Sequence, residues 1–276
     1  MDLYTKTSYE LSRHLTLQYS TSFGKSTKLF SKETQPHIFA IYGLVRVADE
    51  VVDTYTGDDQ ETILNELENE TYRALKTGYS TNPLVHAFAI TATQYDITET
   101  LIAPFFESMR LDLTPQRYTS ELYETYIYGS AEVIGLMCLK VFTGGDSAMY
   151  TQLEPGASSL GAAYQKVNFL RDIASDYDER GRVYFPGVDY DTFDKPTKDA
   201  IIADIRADFL NAKQALAQLP RDAQQAVGLS YLYYGELLKK LDAASVDEIK
   251  ARRIRVSDTK KAALLLQSKR GITWQK

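Results

Sequence analysis

The chain is poor in soft metal ligands: one cysteine, Cys138, and three histidines in 276 residues. A lone cysteine excludes a disulfide framework within the chain and fits a reducing cytoplasm. Its apolar neighbours 133–139 read Cys138 as a buried small hydrophobe. His14, His37 and His86 share no spacing of a metal site. His14 and His37 read as surface or cap residues, and His86 as packing. Basic charge is also short: 31 Lys and Arg against 37 Asp and Glu give a net charge of −6. That balance argues against a nucleic-acid partner, because a phosphate backbone selects a basic footprint. It leaves room for a small phosphorylated ligand, since a divalent cation can bridge carboxylates to phosphates. No apolar stretch approaches the ~20 residues of a membrane helix, and MDLYTKTSYELSRHL lacks the apolar core of a signal peptide. The expectation is a cytoplasmic protein, soluble or loosely attached to a membrane.

Strand-like alternation is scarce, and helical periodicity runs through most of the chain. Glycine and proline fall mostly between the periodic segments, with Pro36, Pro83, Pro155, Pro196 and Pro220 where a helix could begin. Thr34 and Asn82 stand as N-caps. The pattern predicts helices near 6–20, 35–54, 60–77, 83–95, 98–110, 119–143, 147–177, 198–218, 221–241 and 246–252. Loops are expected over 54–60 and 179–194, where glycine, aspartate and proline cluster. No repeat or linker divides the chain, so one all-α domain over 1–276 is the simplest account.

What the sequence does contain is two acidic helix faces. In FAIYGLVRVADEVVD, Asp49 and Asp53 are four residues apart and share a face, with Arg46 one turn earlier. In GAAYQKVNFLRDIASDYDERGRVYFP, Asn168, Asp172 and Asp176 form a second stripe, with Gln165 one turn before it and Arg171 beside it. Such aligned carboxylates suit a hard cation with oxygen ligands, magnesium above all, and through it a diphosphate. Arginines nearby suit the outer phosphate oxygens. Each cluster alone is also compatible with a solvated amphipathic face. Together, embedded in apolar small-residue helix, they point to a site.

Small residues recur in GSAEVIGLM (129–137) and SSLGAA (158–163). Gly129, Ala131, Gly135, Gly161 and Ala162 fit either close helix packing or the wall of a ligand tunnel, since glycine inside a helix costs up to about 1 kcal/mol against alanine. Among the 20 tyrosines, Tyr42, Tyr128 and Tyr164 fit either core packing or a cavity in which aromatic faces stabilise a cation. The segment KARRIR (250–255) fits a solvated helix end, an anionic lipid contact or a diphosphate contact.

The combination of YSTSF (19–23), DEVVD (49–53) and YQKVNFLRDIASDYDERGRVYFP (164–186) resembles the squalene/phytoene synthase family, over roughly Ser12 to Lys261. The resemblance implies an all-α isoprenoid-synthase bundle around a central substrate cavity. It implies two prenyl diphosphates and magnesium, which manganese can replace, held by Asp49, Asp53, Asn168, Asp172 and Asp176. It assigns catalytic roles to the four aspartates and Tyr128. Substrate contacts fall on Tyr19, Ser22, Phe23, Tyr42, Arg46, Gln165, Asn168, Arg171 and Tyr184, with Arg253 and Lys260 reaching the diphosphates from the C-terminal side; the tunnel reading of the small residues adds Ala131, Gly135 and Gly161. Two positions depart from the family pattern: Glu50 replaces a second consecutive aspartate, and Tyr19 stands where some relatives have histidine.

The implied reaction is head-to-head condensation of two geranylgeranyl diphosphates to phytoene through prephytoene diphosphate, without NADPH. Condensation of C15 diphosphates to squalene or dehydrosqualene is the alternative, and a non-catalytic helical scaffold of the same fold a remote one. The deprotonating base, the substrate chain length and the oligomeric state are open at this point.

Overall fold

A computed structural model describes residues 1–114 and 117–269, apart from the side chains of Thr21, Ser22, Lys25, Arg180 and Lys269. Among these residues there are thirteen α-helices: α1 (Leu3–Tyr19), α2 (Thr21–Thr27), α3 (Gln35–Asp53), α4 (Gln60–Thr77), α5 (Pro83–Gln94), α6 (Glu99–Leu111), α7 (Ser120–Ile127), α8 (Val133–Thr143), α9 (Ser147–Arg180), α10 (Lys195–Leu216), α11 (Arg221–Ala243), α12 (Val246–Ala251) and α13 (Asp258–Lys269). The all-α expectation holds, and the described residues form no strand beyond one isolated bridge between Arg117 and Val183.

Local chemistry sets most helix starts. Asp2, Ser20, Asn82, Thr119, Asp146, Asp194 and Ser245 each accept a hydrogen bond from a backbone N–H of the first turn, which satisfies donors no helix can pair internally. Thr34, expected to cap α3, does not; its hydroxyl donates to Asp222 instead. Pro155 opens no helix either and lies inside α9. Helix α2 escaped the periodicity because it is short and mostly polar. Helix α13 forms where Leu264 buries against Leu229 and Tyr233 of α11.

The stretch expected as one helix over 119–143 is interrupted by a π-helical turn, Tyr128–Glu132. Here Gly129 packs on the backbone carbonyl of Pro104, closer than any side chain would allow, and the turn absorbs an extra residue without breaking the run. By length and composition this run, Ser120–Thr143, is apolar enough to cross a membrane, contrary to the expectation, and half of its apolar window is buried within the protein. One large apolar cluster, from Phe30 to Val256, joins α3 to α12.

One of the expected surface assignments changes. His37 is 8% exposed; its Nδ1 lies 3.0 Å from Thr91 Oγ1 and 3.3 Å from the Tyr9 hydroxyl. It sits on the apolar face of α3, so burial rather than capping decides its place, and that burial pulls its pKa down to about 4. His86 packs as expected, with Nε2 3.0 Å from Thr5 Oγ1.

Candidate active site

Six helices and the π turn enclose an apolar cavity of about 310 Å³. Helix α9 lines it from Leu153 to Gln165, and Ile38 of α3, Leu139 and Phe142 of α8, Leu216 of α10 and Val227 of α11 contribute to the wall. The stretch from Leu153 to Gln165 corresponds to about 18 Å of helix. Phe30 and Phe142 stack at the Leu153 end, with ring centroids 5.1 Å apart. Continuing α9 past Gln165 leads to Asn168, Asp172 and Asp176, and continuing α3 past Ile38 leads to Asp49 and Asp53. Just after α9, the Arg182 backbone N–H donates to the Asp176 carbonyl while its guanidinium lies 3.1 Å from Asp53, so both acidic faces lie toward the same end of the cavity.

The small residues are where a wall needs them. Ala131, Gly135 and Gly161 line the cavity. A Cβ on Gly161 would lie 2.6 Å from the Ala131 carbonyl oxygen, so α9 and the π turn touch backbone to backbone. Phe23 and Gln165 line it as well, and Tyr42 stacks on Phe23 at 5.0 Å. Tyr164 lines it and stacks on Tyr234 at 4.0 Å. The side chain of Ser22 lies outside the described residues.

At the acidic end the carboxylates face guanidinium groups. Arg46 pairs with Glu50 and lies 3.6 Å from Asp49, with the Tyr19 ring 4.5 Å beneath its guanidinium. Asp172 receives Arg171 and, 2.8 Å away, Arg253. Arg182 reaches Asp53 at 3.1 Å. Burial, reinforced by the charges of Asp53 and Asp112, holds the Asp49 carboxyl up at about 7 against the pull of Arg46.

Three residues do not go where expected. Tyr128 is 38% exposed and absent from the cavity lining. It begins the π turn, whose extra residue shifts the helix face, and its charged neighbours are Glu132 and Glu154. Tyr184 is buried behind the wall, stacked on Phe169 at 3.9 Å, with its hydroxyl donating to Asp112. Lys260 pairs with Glu236 at 3.4 Å in a groove on the outer side of α10 and α11. It belongs to α13, and the packing of Leu264 carries that helix to the outside.

Two residues were missed. Asp112, at the end of α6, is 6% exposed and accepts hydrogen bonds from the hydroxyls of Tyr126 and Tyr184. Arg182 donates to its backbone carbonyl and lies 3.6 Å from its carboxylate. Burial raises the Asp112 carboxyl to about 6, opposed by Arg182 and the Tyr126 hydrogen bond. Arg182 stands in the GRVYFP loop, whose polar start inside a buried segment was its signal. Asp112 carries no signal in the sequence.

Whether these residues fit a magnesium ion can be tested on the donors. Among the described residues no three carboxylates, histidines or cysteines converge as ligands; the guanidiniums occupy the carboxylates instead. Asn168 Oδ1, on the second acidic stripe, is buried and has no hydrogen-bonding partner. A buried orphan oxygen in a set of carboxylates suits a hard cation, so the donor set fits the ion.

The chain is similar to known proteins over most of its length. Residues 16–260 match the family model described as squalene/phytoene synthase. The chain is 30% identical over 267 residues to phytoene synthase 3, chloroplastic, of Zea mays, covering 90% of this chain and 62% of that protein. It is 30% identical over 263 residues to the 15-cis-phytoene synthase of a Synechocystis strain, covering 85% and 77% of the two chains. Among solved structures, a dehydrosqualene synthase in complex with ligand superposes with a TM-score of 0.82 at 20% identity, over 96% of both chains. The squalene synthase HpnC from Alicyclobacillus acidocaldarius gives 0.75 at 20% identity, over 87% of this chain and 94% of that one. The chain belongs to the squalene/phytoene synthase family.

Proposed function

We propose that this protein joins two molecules of geranylgeranyl diphosphate head to head, through prephytoene diphosphate, to give phytoene. As a member of its family the chain is a prenyltransferase of the head-to-head condensing type. One observation carries the reading: two acidic helix faces lie toward one end of an apolar cavity whose α9 wall is about 18 Å long. An extended prenyl chain advances about 5 Å per five-carbon unit by ordinary covalent geometry, so a C20 chain matches that wall. The names of the two relatives at 30% identity support the C20 substrate over a C15 one.

In this reading Asp49, Asp53, Asn168, Asp172 and Asp176 hold magnesium, or manganese in its place. The metal supplies Lewis-acid charge neutralisation that makes diphosphate a leaving group. Arg46, Arg171 and Arg253 release their carboxylates and turn to the outer phosphate oxygens, as bidentate guanidiniums do. The cavity wall keeps the prenyl chain extended and excludes bulk water. The aromatic faces of Tyr42, Tyr164 and Tyr234 stabilise the positive charge that develops on the chain. Loss of a proton closes the cyclopropane of prephytoene diphosphate, and departure of the second diphosphate with rearrangement and proton loss gives the triene core of phytoene.

This assignment takes no NADPH and places the protein in the cytoplasm, in loose contact with the membrane that receives an apolar product. Incubation with magnesium and geranylgeranyl diphosphate, or with farnesyl diphosphate with and without NADPH, followed by mass analysis of extracted hydrocarbons, tests it. A C40 hydrocarbon without NADPH is expected. A C30 product from farnesyl diphosphate alone would move the assignment to dehydrosqualene. No product from either, in wild type and Asp172→Asn alike, would remove the enzymatic reading.

A further inference from the structure

Helix α1 ends at Tyr19, helix α3 carries Arg46 and Glu50, and the three side chains meet at the acidic end. The central carbon of the Arg46 guanidinium lies 4.5 Å from the centre of the Tyr19 ring. Its Nη2 donates to Glu50 Oε1, one turn further along α3, and its Nη1 lies 3.6 Å from Asp49. Its Nε is shielded from solvent and has no acceptor among the described residues. Against the opposing effect of burial, hydrogen bonds from Arg46, Thr54 and Tyr19 hold the Glu50 carboxyl below its usual range. Tyr19 and Glu50 are the two positions at which the sequence departs from the family pattern, and the structure brings both onto one arginine.

Glu50 does not belong to the acidic stripe. A helix turns about 100° per residue, so Glu50 stands off the face that Asp49 and Asp53 share. A carboxylate beside a diphosphate site repels the ligand unless a cation neutralises it, and Glu50 is set against one. Tyr19, expected to touch the substrate, turns its ring to the same guanidinium and is otherwise half exposed. A partly exposed pair such as Arg46 and Glu50 adds little to the fold. Its effect falls on the arginine instead. A long side chain loses rotamer freedom when it grips a ligand. A guanidinium already held on its face by a ring and at one end by a carboxylate loses less on binding.

We propose that Glu50 and Tyr19 are positioning residues for the diphosphate: they clamp the Arg46 guanidinium so that Nε and Nη1 stand ready for phosphate oxygens, and they keep hold of it while Asp49 passes to the metal. The inference rests on the head-to-head reading above, in which Arg46 meets a diphosphate. Glu50 and Tyr19 act through Arg46 and are unchanged in the reaction.

The test is calorimetric titration of inorganic pyrophosphate into the protein in excess magnesium, with a melting curve for each variant. Glu50→Gln and Tyr19→Leu should each weaken binding about tenfold, the order of one charge-assisted contact, while the thermal midpoint moves by no more than about two degrees. Tyr19→Phe, which keeps the ring over the guanidinium, should retain most of the affinity. Glu50→Gln keeps the shape of the side chain, so it tests the charge alone if Tyr19→Leu disturbs the junction of α1 and α2. In steady state both weakened variants should raise KM for geranylgeranyl diphosphate more than they lower kcat. In an Arg46→Ala background neither substitution should weaken pyrophosphate binding further. A further loss in that background overturns the clamp, because the residue would then act on the ligand or the metal directly. Unchanged binding in Glu50→Gln and Tyr19→Leu also overturns it. Both outcomes leave the head-to-head reading standing, since the wild type still binds pyrophosphate. A wild type that binds none overturns the diphosphate site and the clamp together.

Discussion

The Arg182 guanidinium lies 3.1 Å from the Asp53 carboxylate and 3.6 Å from that of Asp112. One loop arginine thus ties the first acidic helix to an aspartate 59 residues further along the chain. The loop itself is fixed by the bridge between Val183 and Arg117 and by Tyr184, whose hydroxyl donates to Asp112. Asp53 is held from behind by this network and is not a free surface carboxylate.

Removing the hidden member of that network should cost stability. Asp112→Ala leaves Arg182 and two tyrosine hydroxyls with a lost acceptor in the interior. Breaking a buried ion pair on one side typically costs about 3–5 kcal/mol. Urea unfolding should show a loss of that order, and Asp112→Asn, which keeps an acceptor for the tyrosines, a smaller one. A midpoint unchanged in Asp112→Ala would show that the pair contributes nothing to the fold.

The acidic end should tolerate a similar change in stability terms but not in activity. Among the described residues Asp172 pairs with Arg171 and Arg253 at the acidic end. Asp172→Asn should lower kcat/KM by about a hundredfold or more, about 2.7 kcal/mol in the barrier, while the thermal midpoint moves by a few degrees. Steady-state kinetics beside a melting curve separates the two. Equal loss of both would assign Asp172 a structural role.

Cavity depth should set chain length. Ala157 lines the cavity eight residues before Gln165, about 12 Å down the wall. Ala157→Leu places a branched side chain across that depth. The ratio of kcat/KM for C20 over C15 diphosphate should then fall about tenfold, the equivalent of one or two clashing methylenes. Competition between the two substrates in one tube measures this ratio directly, and an unchanged ratio would place the prenyl chain elsewhere.

His37 should make the fold acid-sensitive. Its pKa is about 4 in the folded protein against an ordinary 6.5, because burial disfavours the imidazolium. The unfolded state therefore binds the proton first. The contribution of neutral His37 is fully present above pH 6.5 and is lost as pH falls from there toward 4, by about 2–3 kcal/mol. His37→Gln should flatten that part of the stability–pH curve. Parallel curves for variant and wild type between pH 7 and 4.5 would exclude the effect.

Much of this was readable in advance. The long helices α3, α4, α5, α9, α10 and α11 follow from apolar periodicity interrupted at polar caps, both of which are local. The two acidic stripes were legible because four-residue spacing puts side chains on one helix face regardless of what surrounds the helix. Helix α2 was not legible, because its stability comes from the Ser20 cap and from Phe23 packing onto Tyr42 rather than from its own pattern. The π turn was not legible either, since it answers the contact of Gly129 with Pro104, twenty-five residues away.

The sequence by itself determined that the chain is helical, where its long helices run, and which carboxylates share a face. The tertiary structure alone decided which side chains meet. It sent Tyr128 away from the cavity, set Tyr184 behind the wall and carried Lys260 to the outer side of α10 and α11. It also brought Asp112 and Arg182 to Asp53. The physical reason is that periodicity and capping act within a turn or two of helix, whereas cavity lining, burial of charge and guanidinium pairing depend on packing between helices distant in the chain.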